Sequence, residues 1–180
     1  MEKLNWMNGV YMRATPHERL YETAVEYARR EETGAYWSKR VPGPGETDPH
    51  VRLKGLRALA DAEPGYAAEA VRLEQERVTT LADLGPACAF FFEDQPEFDP
   101  KAVEKWFHEP HVPALLSFIA ERLESQDQVW TVEACEGLVR DAAEHVGLGK
   151  LGPAVHPTRV ALTGRTVGPG LFELMAVLGR

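Results

Sequence analysis

The sequence predicts an all-α fold made of two small helical bundles. Apolar residues recur at helical spacing in segment after segment, and no stretch alternates apolar and polar residues with period two. Cap residues followed by proline mark several helix starts. Residues 93–99 are acidic, contain proline and lack a period, so they form the clearest candidate boundary. We therefore expect a first bundle over residues 1–95 and a second over residues 96–180.

Five helices are predicted in the first half, each from an apolar stripe and a start or stop signal. The first helix is expected over 2–13, and the second begins at Thr15-Pro16 and ends at about Glu32, before Gly34. The third follows the loop 41–49 and is capped by Thr47 or Asp48. The fourth covers 66–78, and the fifth runs from Thr80 into the aromatic run 90–92.

The second half gives similar signals. Asp99 and Pro100 predict a cap and a first-turn proline, and a further helix follows Pro110 and Pro113. Thr131 is expected to cap a helix over 132–146 that ends at Gly147. The last segment, 157–179, combines an amphipathic run, a turn-rich stretch over 164–170 and a strongly apolar helix.

Composition restricts the possible classes of protein. The net charge of −8 by itself argues against a nucleic-acid partner. However, salt screens distant charges, so a local patch of positive charge matters more for binding than the net charge of the whole chain. Cys88 and Cys135 fit no metal or redox spacing, which favours packed thiols in a reducing cytosol. No signal peptide or membrane span is visible, so we expect a cytoplasmic monomer with neither membrane nor DNA as a partner.

One stretch departs from the acidic average. From residue 147 to residue 172 there is no Asp or Glu, whereas Lys150, Arg159 and Arg165 are present. The turn-rich part of this stretch leads into the last helix, and the N-terminus of a helix favours negative charge. These observations predict a surface that binds an anion.

Two patterns resemble catalytic motifs but lack their structural context. Residues 147–152 match GxGxxG, yet they follow a predicted helix rather than a strand, so a turn between helices is the better interpretation. Residues 108–111 fall one short of HExxH, and Pro110 would break the helix that presents the ligands. We expect no catalytic residue and no metal, with a small metalloenzyme using His108 and His111 as an alternative.

Aromatic residues have two possible roles. The run 90–92 could stack on bases, but three consecutive rings cannot share one helix face, which favours packing between the two bundles. The four tryptophans are interpreted as anchors of helix packing: Trp6, Trp37, Trp106 and Trp130.

Four segments together resemble the C-terminal part of bacterial glutamyl-tRNA synthetase. They are KLNWMNGVYMR at 3–13, LEQERVTTLADL at 73–84, FFFED at 90–94 and PTRVALTG…GPGLFELMAVLG at 157–179, in the order of that family. The resemblance implies two helical anticodon-binding domains, with residues 1–13 as the join to a stem-contact domain.

The resemblance also implies that the chain is inactive alone. The catalytic signatures of the family, HIGH and KMSKS, are absent from the sequence. ATP and magnesium would serve that catalytic domain, and we expect no cofactor here. The chain is then an excised fragment or a stand-alone relative of a ligase that attaches glutamate to tRNA.

Particular residues acquire roles through this resemblance. Arg77 matches the arginine with which discriminating members read cytosine as the third anticodon base and reject guanine. Arg159 matches an arginine that contacts an anticodon base. Positions of the family that contact the anticodon through backbone and apolar groups correspond to Gly168, Pro169 and Leu171. Lys150 and Arg165 are expected to contact phosphates, on charge and position alone.

Other interpretations remain open. Arg77 could instead form a surface ion pair with Glu74 or Glu76. The whole chain could be a helical protein-interaction or regulatory domain that has kept the fold and lost RNA binding, which the net charge of −8 favours. With tRNA-Glu as the partner, an RNA-binding module is the leading hypothesis.

Overall fold

The described part of the chain contains eleven α-helices and two 3-10 turns, and no β-strand. The computed structural model describes residues 2–42, 46–124 and 130–179. The all-helical prediction is confirmed. Residues 43–45 of the predicted loop and the connector 125–129 lie outside the described residues. The chain divides into two compact units, Met1–Asp94 and Gln95–Arg180.

The first unit is built around its fourth helix, against which three other helices pack. Buried leucines, among them Leu56, Leu59 and Leu84, fill the space between these helices. The helices are α1 (Glu2–Ala14), α2 (His17–Arg29), α3 (Glu31–Lys39), α4 (Pro49–Asp61), α5 (Pro64–Glu74) and α6 (Leu81–Cys88), with 3-10 turns at Gln75–Arg77 and Ala89–Phe91.

Two glycines let α4 and α6 touch backbone to backbone. A Cβ on Gly55 would lie 2.3 Å from the carbonyl oxygen of Gly85, and a Cβ on Gly85 would lie 2.4 Å from the carbonyl oxygen of Arg52. Any side chain at either position would therefore push the helices apart.

In the second unit, α9 packs against α8, α10 and α11. Its core includes Leu115, Val139, Val160 and Leu174. The helices are α7 (Pro100–Trp106), α8 (Val112–Glu124), α9 (Val132–His145), α10 (Gly152–Thr163) and α11 (Leu171–Leu178). Residues 146–151 connect α9 to α10, and Gly152 opens α10, so the interpretation of this motif as a turn between helices is confirmed. No helix in the described parts is long and apolar enough to cross a bilayer.

Most of the predicted caps are present. The carboxylates of Asp48 and Asp99 accept hydrogen bonds from backbone N–H groups of the helices that follow them, and Thr131 caps α9. The prediction at Thr15 was wrong, because its hydroxyl donates to the carbonyl of Tyr11 at 2.7 Å and α2 begins at His17.

The predicted helix ending near Gly34 is instead two helices. Arg30 has an extended backbone, with ψ of 134°, and separates α2 from α3, which continues through Gly34. Glu31 and the acid after it lie in the first turn of α3, where a helix favours negative charge. The change of direction at this break places Trp37 in the core, where it packs with Leu53.

The predicted roles of the aromatic residues hold only in part. Phe90 and Phe91 belong to the first unit and are buried, whereas their packing between the two bundles stays a prediction. Trp37 is buried and Trp130 lies against Gly179, whereas Trp6 is 67% exposed and anchors nothing within the described residues. The anchor prediction for Trp6 was therefore wrong. The thiols of Cys88 and Cys135 are buried as predicted.

Candidate nucleic-acid interface

Arg77 lies on the surface of the first unit, at the end of a 3-10 turn. Its Nη1 donates to the carbonyl of Leu73 at 2.9 Å, a bond within its own chain segment. The alternative surface ion pair is not supported. Glu74 is only 4% exposed, and no ion pair joins Arg77 to Glu76 among the described residues.

The turn that carries Arg77 is held in place by the buried side chain of Gln75. The Gln75 side chain is 8% exposed, and its amide donates to the carbonyls of Met12 and Thr15 at 2.7 and 2.6 Å. These carbonyls belong to the end of α1 and the residue after it, so the bonds tie that end to the turn. Arg77 consequently projects from a rigid base.

The chain just after Arg77 is held by a cluster centred on Asp83. The Asp83 carboxylate accepts bonds from the backbone and hydroxyl of Thr80, at 3.0 and 2.8 Å, and pairs with Arg52. Burial alone would raise the pKa of Asp83, but the bonds from Arg52 and Thr80 hold that pKa below its ordinary value. The carboxylate is therefore ionised at neutral pH and caps α6.

Arg159 plays a different structural part in the second unit. It is half-buried on α10, and its Nη1 donates to the carbonyl of Pro169 in the turn before α11. The same Nη1 lies 3.4 Å from the place that a Cβ on Gly168 would occupy. Arg159, Gly168 and Pro169 are thus in direct contact, and the arginine clamps the loop.

The start of this loop requires a glycine. Gly164 has φ of +73°, and a Cβ there would lie 2.1 Å from the carbonyl oxygen of Glu97. Its own carbonyl accepts a hydrogen bond from the backbone of Asp99 at 2.9 Å. Arg165 follows, half-buried, with its backbone N–H on the Thr163 hydroxyl at 3.2 Å.

The N-terminus of α11 already has a carboxylate beside it. A Cβ on Gly170 would lie 2.0 Å from Oε2 of Glu173, so the Glu173 side chain folds back over the first turn. The anion that this helix end favours is therefore supplied by the helix itself. Leu171 is 3% exposed and Pro169 is buried, which leaves their backbone groups rather than their side chains for outside contacts.

The predicted phosphate contacts lie at opposite ends of α10. Lys150 is exposed in the turn before this helix, and Arg165 follows its C-terminal end. Since α10 has 12 residues, its ends lie roughly 18 Å apart. The two cations cannot share one phosphate, but an extended backbone could contact both.

A cluster that sequence reasoning missed lies beside Arg159. The rings of His156 and Trp106 stack at 4.1 Å with an interplanar angle of 14°, and Lys105 Nζ is 4.9 Å from the Trp106 ring centre. Burial lowers the pKa of His156, and the charges of Arg159 and Lys105 lower it further. The spacing of His156 and Arg159 by three residues in a helix was the available signal.

The imidazole and indole of this cluster are not fully satisfied. His156 Nδ1 and Trp106 Nε1 are both buried and have no hydrogen-bond partner within residues 2–42, 46–124 and 130–179. A neutral His156 is favoured there because a charged one would face two cations.

The metalloenzyme alternative finds no support in the structure. Within the described ranges, no three His, Cys, Asp or Glu side chains come together as a metal site would require. His111 Nε2 instead lies 3.4 Å from the carbonyl oxygen of Pro153.

Comparison with known proteins decides the family. Residues 19–180 match the family model described as "Anticodon binding domain". The chain belongs to the anticodon-binding domain family. This match and the ligase relatives described next confirm the resemblance drawn above from four sequence segments.

Relatives of this anticodon-binding domain are larger proteins. A glutamate–tRNA ligase of Desulforudis audaxviator is 34% identical over 181 residues, which covers 100% of this chain and 32% of the relative. One of Moorella thermoacetica is 33% identical, over 99% of this chain and 32% of the relative. The chain therefore spans about a third of the length of the curated relatives it matches.

Solved structures agree on the fold of the anticodon-binding domain. A glutamate tRNA ligase of Elizabethkingia meningosepticum superimposes with a TM-score of 0.66 at 24% identity, covering 98% of this chain and 29% of that one. The enzyme of Elizabethkingia anophelis gives a TM-score of 0.61 at 23% identity, covering 99% and 29%.

Proposed function

We propose that this chain is the anticodon-recognition module of a glutamate–tRNA ligase and that its RNA partner is tRNA-Glu. Family membership over residues 19–180 and the ligase relatives support this function. The observation that carries it is the loop clamped by Arg159, a glycine-rich turn in a stretch without acidic residues up to Glu173. Such a loop offers backbone groups and positive charge to single-stranded RNA.

Arg77 supplies discrimination at the third anticodon base in this proposal. Cytosine presents O2 and N3 as acceptors, which suit the N–H donors of a guanidinium, whereas guanine presents N–H donors on the same edge. Arg77 is exposed, and its bond to the carbonyl of Leu73 uses a single donor of a group that has five. The remaining donors are sufficient to read a base edge.

Arg159 acts mainly through the loop it holds. Its contact with Pro169 fixes the backbone that follows Gly168, and this backbone presents the groups that contact the anticodon. Lys150 and Arg165 add phosphate contacts, which raise affinity without adding sequence information.

The complete ligase reaction needs residues that this chain does not have. The sequence contains neither HIGH nor KMSKS, the signatures of ATP- and magnesium-dependent catalysis that the family resemblance implies. We infer that the chain alone binds RNA as a monomer in the cytoplasm and does not attach glutamate to tRNA.

A direct titration tests the proposal. The chain is titrated at low salt with two anticodon stem-loops, one carrying YUC (Y for pyrimidine) and one carrying YUG. We expect the YUC form to bind about 5- to 100-fold more tightly, by analogy with discrimination of about 1–3 kcal/mol per base contact. Affinity should also fall as salt rises. Equal affinities for the two RNAs would contradict the proposal.

A protein-interaction domain is the second candidate, favoured by large apolar residues exposed around α1. Leu4, Trp6 and Tyr11 are 63%, 67% and 68% exposed, which is unusual for three large apolar residues on one short helix. If the chain binds neither stem-loop at low salt, this candidate replaces the first.

A further inference from the structure

The first unit contains a cavity that the proposed function does not use. Its volume is about 470 Å³, within the range of about 300–1,000 Å³ typical of sites for small ligands. Its walls come from α1, α2, α3 and the segment that opens α6. The residues that decide its chemistry are Asn8, Tyr11, Tyr27, Tyr36, Trp37 and Thr79.

The aromatic residues differ in exposure, which gives the cavity an inner wall and an outer edge. Trp37 is 8% exposed, and its Nε1 donates to the hydroxyl of Tyr27 at 2.9 Å. Tyr36 and Tyr11 are 52% and 68% exposed. The Tyr36 and Trp37 rings meet edge to face at 5.0 Å. A flat aromatic ring can therefore stack on the exposed tyrosines, whereas Trp37, buried beneath two guanidinium groups, supports Tyr36 from inside.

Positive charge surrounds this wall. The Arg40 guanidinium lies 5.8 Å from the Tyr36 ring centre and 5.5 Å from the Trp37 ring centre, and Arg52 lies 5.5 Å from the latter. An adjoining cavity of about 680 Å³ shares Tyr36 and is lined by Arg30. Arg40 and Arg52 are paired with carboxylates, so they polarise the rings more than they attract ligands. Arg30 is the cation placed to meet a phosphate, and Glu32 lines the same cavity.

The cavity lies beside Arg77. Thr79, one of its lining residues, is two positions after Arg77, so their Cα atoms are at most about 7 Å apart. Arg13 is close as well: a Cβ on Gly9 would lie 3.2 Å from Arg13 Nη1 and 3.6 Å from the Thr79 methyl group. An RNA strand whose base is read by Arg77 passes the edge of the cavity.

We propose that this cavity is a second base site, which takes one unstacked nucleobase of the same RNA loop, other than the base read by Arg77. The proposal rests on the proposed function, since it needs a single-stranded RNA at this surface. The rings of Tyr11 and Tyr36 stack on the base, and the Asn8 amide offers hydrogen bonds to its polar edge. The Thr79 hydroxyl donates to Asp83 at 3.1 Å and can therefore only accept a bond from the base. Stacking is tolerant of sequence, so this site adds affinity rather than discrimination.

Affinity measurements separate this site from the contact at Arg77. Tyr36→Ala should weaken binding of both the YUC and the YUG stem-loop by a similar factor, about 5- to 100-fold, because base–aromatic stacking contributes that much. Tyr36→Phe keeps the ring and should bind like the wild type. Trp6→Ala is the control, since Trp6 is an exposed aromatic residue of the same unit that lines neither cavity.

Photocrosslinking gives a readout that does not depend on affinity. Stem-loops carrying 5-iodouridine at one loop position at a time are irradiated with the full chain, and the attached residues are identified by mass spectrometry. We expect one loop position to crosslink to Tyr11 or Tyr36.

The two experiments distinguish failure of the second base site from failure of the proposed function. RNA binding with third-base discrimination, but with neither crosslinks at these tyrosines nor a loss in Tyr36→Ala, would overturn the second base site and leave the proposed function standing. That result would assign the cavity to another occupant, such as an apolar side chain of a protein. Absence of RNA binding would overturn both.

Discussion

The two units hold their key arginines in opposite ways. Arg77 is exposed on a turn that other residues fix, and it contributes one hydrogen bond to its own segment. Arg159 is half-buried and itself fixes the loop at Pro169. The difference separates two tasks. In the proposed function, a side chain that the fold does not need is free to discriminate between bases, whereas one that shapes a loop is expected to affect every RNA alike.

The largest expected effect comes from breaking the loop of the second unit at Gly164. Gly164→Ala should lower the free energy of unfolding by about 3–5 kcal/mol, because a Cβ would be strained at positive φ and would overlap the carbonyl of Glu97. Chemical denaturation measures it. Gly137→Ala is the control: this helical glycine has no atom within 4 Å of a Cβ, so stability should hold or rise.

In the first unit, the next largest effect is expected from neutralising Asp83, whose carboxylate holds the chain segment that follows Arg77. Asp83→Asn should cost about 2–4 kcal/mol, because half-buried Arg52 loses its charged partner and the capping box of Thr80 and Asp83 at the start of α6 is weakened. Since the pKa of Asp83 is lowered in the folded state, this stability is present above the unfolded pKa and is lost as pH falls through the folded pKa. The advantage of the wild type over the variant should therefore shrink in acid.

Denaturation curves of Asp83→Asn at pH 7 and in acid test this account. Asp61→Asn serves as the control, because Asp61 is an exposed aspartate of the same unit. A wild-type advantage that does not change with pH would contradict the role given to the carboxylate charge.

Arg159→Gln tests the loop-shaping role. Loss of the clamp on Pro169 should weaken binding of YUC and YUG stem-loops by a similar factor, about tenfold, the equivalent of a charge-assisted hydrogen bond of about 1.5 kcal/mol. Arg140→Gln, an exposed arginine paired with Glu136 on α9, is the matched control and should bind normally. A selective loss for one RNA would instead make Arg159 a base-reading residue.

The smallest expected effect concerns His156. Its pKa is lowered by burial and by two neighbouring cations, so the unfolded chain takes up its proton at a higher pH than the folded one. Stability from the neutral ring is present above the unfolded pKa and falls as pH decreases through it. His156→Gln should lose less stability than the wild type between pH 7.5 and pH 5, while His108→Gln, at an exposed site, should follow the wild type.

Helix caps, which depend on neighbouring residues, could be predicted from the sequence, whereas tertiary contacts could not. The caps at Asp48, Asp99 and Thr131 depend on residues within three positions, so their signals survive without a fold. The break at Arg30 has no such signal: the Arg29 side chain donates to the distant carbonyl of Ala60 at 3.0 Å. Packing overrode the local pattern there.

The same distinction applies to the candidate site. Arg159 and its glycine-rich loop are close in sequence, so the pattern indicated them directly. The stack of His156 on Trp106 joins residues fifty positions apart, and the cavity beside Thr79 draws on four separate segments. Helical periodicity marks such residues as core and says nothing about which of them meet.

A double-mutant cycle between Arg77 and the third anticodon base tests the central claim most directly. Wild type and Arg77→Gln are each titrated with stem-loops that carry cytosine or guanine at that position. We predict that the preference of the wild type for cytosine, about 5- to 100-fold, disappears in the variant while its stability changes by no more than about 0.5 kcal/mol. An unchanged preference in Arg77→Gln would contradict the assignment of discrimination to the exposed arginine.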